Sequence, residues 1–136
     1  LRVADIVLPS GEELLTLTGE STPDEGVAHL LSRGVKLVAL KRGAQGSTLY
    51  SADEVIEVPP YKVDEVDPTG AGDCYGAALL VGLSLGWPLA QAGLLANAVG
   101  ALATTRLGPM EGTFSLDEVR EFMAAQGRPL DASLKR

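Results

Sequence analysis

The order of apolar patterns constrains this chain more than any other feature. Val3 to Leu8 is a short apolar run closed by Pro9, of the kind that makes a buried strand in a parallel sheet. Two helix starts follow. Ser10 with Glu13, and Thr22 with Glu25, have the S/T-x-x-E spacing in which each side chain satisfies the other residue's backbone amide. The first predicted helix carries Leu14, Leu15 and Leu17 and stops at Gly19. The second has Pro23 at its first position and runs through Val27, Leu30 and Leu31 to Gly34. Lys36 to Leu40 then reads as a strand, and a strand–helix–strand order of this kind specifies an α/β layer.

Beyond that unit the pattern changes. Gly43 and Gly46 bracket a tight turn, and Ser47–Tyr50 and Val55–Val58 read as short strands of antiparallel hairpins, stopped by Pro59 and Pro60. Val63 to Val66 reads as a last strand. It leads into Asp67 to Asp73, and then the chain reads as helical to Arg106, in two segments divided near Gly86 to Pro88. Both segments are apolar almost all round, so both are expected to be buried. Ser115 and Glu118 open a third capped helix with Val119, Phe122 and Met123 inward, and residues 127–136 read as a frayed polar tail.

Composition excludes several classes of function. With 136 residues the chain is long enough for a core without disulfides, and its single cysteine, Cys74, cannot pair within the chain. A reducing, cytoplasmic location is the expectation. Eleven basic against eighteen acidic residues, a net charge of -7, argue against a nucleic-acid or anionic-membrane surface. The apolar runs Ala77–Leu83 and Ala92–Ala103 fall short of the ~18 residues of a membrane span. The chain opens inside a predicted strand with no initiator Met, which suggests a piece of a longer protein.

The chemistry concentrates at Gly70-Ala71-Gly72-Asp73, where a strand gives way to a buried helix. Glycines there let the backbone turn and let a ligand approach, and the amides of a helix start are a ready anion site. Such a site binds phosphate without a basic patch. A carboxylate beside it makes sense if Asp73 faces an attacking hydroxyl and takes its proton. The plain alternative is an ordinary helix start, where an acid complements the dipole. From spacing alone the two readings stand level. No Walker string is present, and the dinucleotide fingerprint fails because its third glycine is displaced to Gly76.

The segment Asp67-Pro68-Thr69-Gly70-Ala71-Gly72-Asp73 and its continuation to Leu80 closely resembles the C-terminal signature of the ribokinase-like (PfkB) carbohydrate kinases. Leu8 to Gly19 is similar to that family's Asn-x-x-Glu segment, with Ser10 in place of the usual Asn. Leu37 to Gly46 resembles its nucleotide-side strand and glycine turn, and Ala96 to Gly108 the helix and loop that close over adenine. The resemblance covers nearly the whole chain but only the C-terminal half of the family's domain. It implies a three-layer α/β/α Rossmann-like core whose sheet is open at one edge, where N-terminal strands are absent.

The resemblance also implies roles. Asp73 is the general base toward a sugar hydroxyl, and the amides of Gly70, Ala71 and Gly72 form the anion hole. Glu13 is the acid that acts on Mg2+ through water, although the capping box explains it without a metal. Lys41, Gly43, Gly46, Asn97 and Gly108 are contacts to ATP. For Asn97, a plain helix-to-helix hydrogen bond is an equal account. Carbonyls near Thr104 and Leu107, with Gly108, are where relatives bind a monovalent cation such as K+. The implied partner is a small sugar or nucleoside, with no nucleic acid or membrane, and the full-length protein has room for a homodimer. Cys74 lacks a His partner and reads as a small first-turn residue. The competing classes are a non-catalytic nucleotide- or anion-binding module and, more weakly, an NAD-binding Rossmann domain.

Overall fold

The computed structural model describes residues 4–108 and 114–134 and divides into two compact units, one up to Glu57 and one from Val58. In chain order the elements of the first unit are β1 (Ile6–Val7), α1 (Gly11–Thr18), α2 (Pro23–Ser32), β2 (Leu37–Lys41), a 3-10 turn (Gly43–Gln45) and β3 (Ser47–Ser51). Strand β4 (Val55–Val58) runs to the boundary between the units. The second unit contains α3 (Ala71–Ser84), α4 (Leu89–Ala103) and α5 (Leu116–Ala125).

The sheet is mixed, in the order β1-β2-β3-β4. β1 pairs with β2 in parallel through Ile6 and Leu37, and β2 with β3 antiparallel from Leu37 opposite Ser51 to Lys41 opposite Ser47. The first four residues of β2 are all buried, as a strand covered on both faces must be. Leu14 of α1 and Val27 and Leu30 of α2 pack with Val38 and Leu40 of β2. Gly26 lets the two helices close: a Cβ there would lie 2.9 Å from Leu14 Cγ. β1 is an edge strand, with no strand on its other side among the described residues.

All three predicted capping boxes form. Ser10, Thr22 and Ser115 each accept from the amide three residues on, and Glu13, Glu25 and Glu118 each reach back to the cap amide. In the second unit α3 lies along α4 at close range, where a Cβ on Gly82 would meet Ala92 Cβ at 2.8 Å. On α3 the predicted all-round burial fails. Leu79 is fully buried, but Leu80 and Val81 on the opposite side are 47% and 51% exposed. Within its unit α3 is packed chiefly on one side, by α4.

Two other expectations are corrected. Val63 to Val66 forms no strand; the Val66 amide donates to Thr104 O at 2.7 Å, using the end of α4 in place of a sheet neighbour. The tail expected to fray at 127–136 is docked as far as it is described. Leu130 is buried, Tyr61 Oη donates to Arg128 O, and the Arg128 guanidinium donates to Pro60 O and lies over the Tyr61 ring. The Gln126 side chain exchanges two bonds of 2.8 Å with the Lys62 backbone. One apolar anchor and several backbone-directed bonds outweigh the polar composition of this segment. Val3 of the first predicted strand, the loop at Met110 to Gly112 and residues 135–136 lie outside the described residues. Among the described residues no helix is long and apolar enough to cross a membrane.

Candidate functional site

The predicted site residues fall into two groups, one on each unit. In the first unit they gather where β1 and β2 end, outside the carboxyl ends of parallel strands, the place where α/β sheets bind ligands. The Lys41 amide donates to Pro9 O at 2.8 Å, and this pairing sets Ser10 beside Lys41. Lys41 Nζ then lies 3.8 Å from Glu13 Oε2, the same oxygen that accepts from the Ser10 amide at 2.6 Å. Glu13 is held below the ordinary carboxylate range by the Ser10 amide first, then the Ser10 hydroxyl and the Lys41 charge. A shallow cleft of about 470 Å³ opens here, with Lys41, Arg42, Gln45 and Tyr50 on its wall.

The glycine turn follows directly. Arg42 N donates to Gly46 O at 2.8 Å, which folds Gly43–Gln45 into one 3-10 turn. Gly46 leaves that turn at φ +89, a conformation that a side chain would strain. Neither Gly43 nor Gly46 lines the cleft.

In the second unit the site is the start of α3. Gly70 caps it at φ +81 in the left-handed region, with no side chain to satisfy the amides that follow. The Ala71 amide turns back to Pro68 O at 3.1 Å and the Cys74 amide to Gly70 O at 3.0 Å. The amides of Gly70, Gly72 and Asp73 have no acceptor among the described residues. The amides left open at this turn are therefore those of Gly70, Gly72 and Asp73, while the Ala71 amide, one of the three expected to bind an anion, is engaged by Pro68 O.

Asp73 differs from the other acids at helix starts. It stands three residues after its cap, as Glu13, Glu25 and Glu118 do, but those three carboxylates each bond the cap amide. The Asp73 side chain makes no such bond, is exposed, and has no hydrogen-bond partner among the described residues. The Asp73 carboxylate thus caps nothing, although it stands in the first turn of α3, where an acid complements the dipole.

Asn97 sits in α4 with 8% of its surface exposed, and its side-chain amide donates to Val58 O at 3.0 Å and Pro59 O at 2.9 Å. These two bonds reach the backbone carbonyls of the last residue of β4 and of the residue that follows it. Thr104 O accepts from both the Val66 and the Asp67 amide, at 2.7 and 2.9 Å, which occupies its two lone pairs. Gly108, at φ +91, donates to Asp67 Oδ2 at 3.1 Å.

Asp67 was not among the predicted site residues. Its Oδ1 accepts from the Thr69 amide at 2.9 Å and its Oδ2 from Gly108, 41 residues away. The Thr69 hydroxyl first, then the Thr69 amide and the Gly108 amide, hold its carboxyl below its ordinary value. The Asp-Pro-Thr string announces the local turn; nothing in it announces Gly108.

No group of three or more metal-binding side chains occurs among the described residues. One carboxylate beside an ammonium group fits a magnesium ion held by waters and by a ligand's phosphates, not by a protein cage.

Comparison with known proteins places this geometry in a family. The model of the pfkB family carbohydrate kinases matches residues 1–115. An Escherichia coli protein provisionally named Ribokinase II, solved with ATP and Mg2+, is 49% identical with a TM-score of 0.88, over 91% of this chain and 40% of that one. A fructokinase from Vibrio cholerae O395, solved with fructose, ADP and calcium, is 32% identical with a TM-score of 0.83, over 89% and 41%. Fructokinase-1 of Oryza sativa subsp. japonica is 38% identical over 128 residues, 88% of this chain and 40% of its own length. The chain thus spans about 40% of such relatives. Both the matched residues and the ribokinase-type fold show that it belongs to the pfkB family of carbohydrate kinases.

Proposed function

We propose that this chain is the nucleotide-binding and catalytic-base portion of an ATP-dependent kinase that phosphorylates a hydroxyl of a sugar or nucleoside. The observation that carries the reading is the start of α3: open amides beside a carboxylate that no helix cap uses. In it the Gly70, Gly72 and Asp73 amides bind the transferring phosphoryl group, and Asp73 accepts the proton of the attacking hydroxyl. Phosphoryl transfer needs mainly positioning and charge stabilisation, so a few preorganised donors and one base are sufficient in kind.

Lys41, Gly43 and Gly46 contribute to the phosphate side, and Asn97 and Gly108 to the adenine side, of the ATP site. Glu13 holds Mg2+ through water; bound there, the ion would neutralise charge on the phosphates. A monovalent cation such as K+ near Leu107 and Gly108 is compatible with the reading, although Thr104 O has no lone pair left for it. The acceptor-binding part lies in what the chain does not share with its relatives, so the 136 residues alone bind nucleotide without turning over a sugar. A cytoplasmic location belongs to the same reading.

The test uses a full-length protein that carries this chain, assayed for sugar-dependent ATP consumption across a sugar and nucleoside panel. Asp73→Asn is expected to lower kcat by at least about a hundredfold, the scale of a lost general base, with ATP affinity unchanged. Full activity in that variant refutes the mechanism. ATP binding with no acceptor-dependent turnover supports a non-catalytic binding module instead, and stabilisation by NAD in place of ATP would support a dinucleotide-binding domain.

A further inference from the structure

We propose that the cleft between the first turn of α2 and the Gly43–Gln45 turn is a second binding site, which takes the phosphate monoester of a small polyol, a sugar phosphate, on Arg42, Gln45 and the buried hydroxyl of Thr48.

The site lies on one face of β2 and β3. Val38 and Leu40 pack with Leu14, Val27 and Leu30 of the two helices, and Tyr50 packs against the same cluster. Val38 stands opposite Tyr50 and Leu40 opposite Thr48. Residues directly opposite share a face, so Thr48 belongs to this side of the sheet. The Arg42 amide donates to Gly46 O, which carries the pairing one rung further. From that last rung the Arg42 side chain reaches back to the first, where Nη2 donates to Tyr50 Oη at 3.4 Å. The contact therefore passes over the rung between them, Leu40 and Thr48. Leu40, Arg42, Gln45 and Tyr50 all line the cleft.

Thr48 is the group that the scaffold does not explain. It is 1% exposed, and its Oγ1 is buried without a hydrogen-bond partner. A hydroxyl left in that state costs stability that a methyl group in its place would not. The bond above it is weak, since 3.4 Å is long for an N–H donor and an oxygen acceptor. An arriving oxyanion draws Arg42 away from Tyr50 at small cost and uncovers the hydroxyl beneath.

The donors and the one acid on the cleft define the ligand. Arg42 has no carboxylate partner, and the Gln45 side chain no hydrogen bond, among the described residues. With Thr48 they supply three separate donor groups, one of them a charged fork, which match the three terminal oxygens of a phosphate ester better than the two of a carboxylate. Asp24 opposes a bare anion. It lines the same cleft, leaves the capping of α2 to Glu25, and pairs with no cation among the described residues. A hydroxylated carbon chain gives this carboxylate donors to accept from, so Asp24 selects phosphate carried on a polyol over inorganic phosphate. The volume, about 470 Å³, is in the range of small-molecule sites.

The test is calorimetric titration of a full-length protein that carries this chain, with Mg2+ and a non-hydrolysable ATP analogue saturating, so that the phosphate side of the proposed nucleotide site is already filled. Ribose 5-phosphate is expected to bind at least about tenfold more tightly than gluconate or inorganic phosphate, and ribose not measurably. Arg42→Gln should weaken ribose 5-phosphate about ten- to a hundredfold, the scale of a lost bond to a charged group, with sugar-dependent turnover unchanged. Thr48→Val should weaken it several-fold while raising Tm, because the unpaired hydroxyl is removed; a threonine kept for packing alone would leave binding unchanged. Asp24→Asn should tighten inorganic phosphate about threefold.

Full displacement of ribose 5-phosphate by the ATP analogue overturns the proposal, as does unchanged binding in Arg42→Gln or in Thr48→Val. Gluconate bound as tightly as ribose 5-phosphate overturns the choice of phosphate, and inorganic phosphate bound as tightly overturns the selection by Asp24. Calorimetry needs no turnover. A wild-type protein without sugar-dependent ATP consumption would refute the proposed function, while these titrations would still decide the second site.

Discussion

Replacing Asn97 by alanine separates a scaffold role from a nucleotide contact. The side chain is nearly buried and its two N–H groups reach Val58 O at 3.0 Å and Pro59 O at 2.9 Å. A neutral hydrogen bond nets about 0.5–1.5 kcal/mol, and a buried acceptor left alone costs about 1–3 kcal/mol. The Val58 bond is buried and takes the upper part of that range; the Pro59 bond is partly buried, and water recovers some of its loss. Alanine returns up to about 0.7 kcal/mol in helix propensity. The net expectation is a destabilisation of about 2–3 kcal/mol, or a fall in Tm on the order of 10 °C for a domain of this size. Urea unfolding reads the stability, and ATP titration well below the midpoint reads the nucleotide site. The scaffold reading requires the loss of stability with ATP affinity unchanged. It is refuted by a loss under about 0.5 kcal/mol accompanied by several-fold weaker ATP binding.

Two further predictions use other residues. Glu13→Gln keeps a carbonyl to accept from Ser10, so α1 stays capped and stability changes by less than about 0.5 kcal/mol. The Mg2+ concentration needed for half-maximal turnover should rise about tenfold, on the scale of a lost outer-shell partner, and an unchanged requirement leaves Glu13 with the cap alone. Burial pushes the Tyr61 hydroxyl up to about 12, against a partial opposing effect of Arg128. A raised acid holds its proton longer folded than unfolded, so its contribution is intact below pH ~10 and is lost as pH rises from ~10 to ~12. Tyr61→Phe should lose about 1 kcal/mol at neutral pH, from the bond to Arg128 O, and show a shallower decline in that window; parallel declines refute the assignment.

What could be read from the sequence was local. Ser10, Thr22 and Ser115 with their glutamates set three helix starts, because a capping box closes within four residues and needs no partner from elsewhere. The buried run Leu37–Leu40 and the Gly70–Asp73 turn were legible for the same reason, and the family signature was carried by consecutive residues. Asp73 looked like the other acids at helix starts; only the folded chain separates it from the three that cap.

The remaining features depend on distant partners. Val63 to Val66 has a strand's composition, but the end of α4 offered its backbone a nearer acceptor than any sheet. The polar tail is docked because Leu130 is buried and because Arg128 and Gln126 bond a segment more than sixty residues earlier. Which amides of the α3 start stay open was decided by Pro68 O, and how the turn is held by Gly108. By itself the sequence determined the elements, their caps and the family, since those follow from hydrogen bonds and periodicities within a few residues. Only the tertiary structure decided which polar groups are spent on the scaffold and which stay open, because a buried donor or acceptor takes whatever partner packing brings within reach.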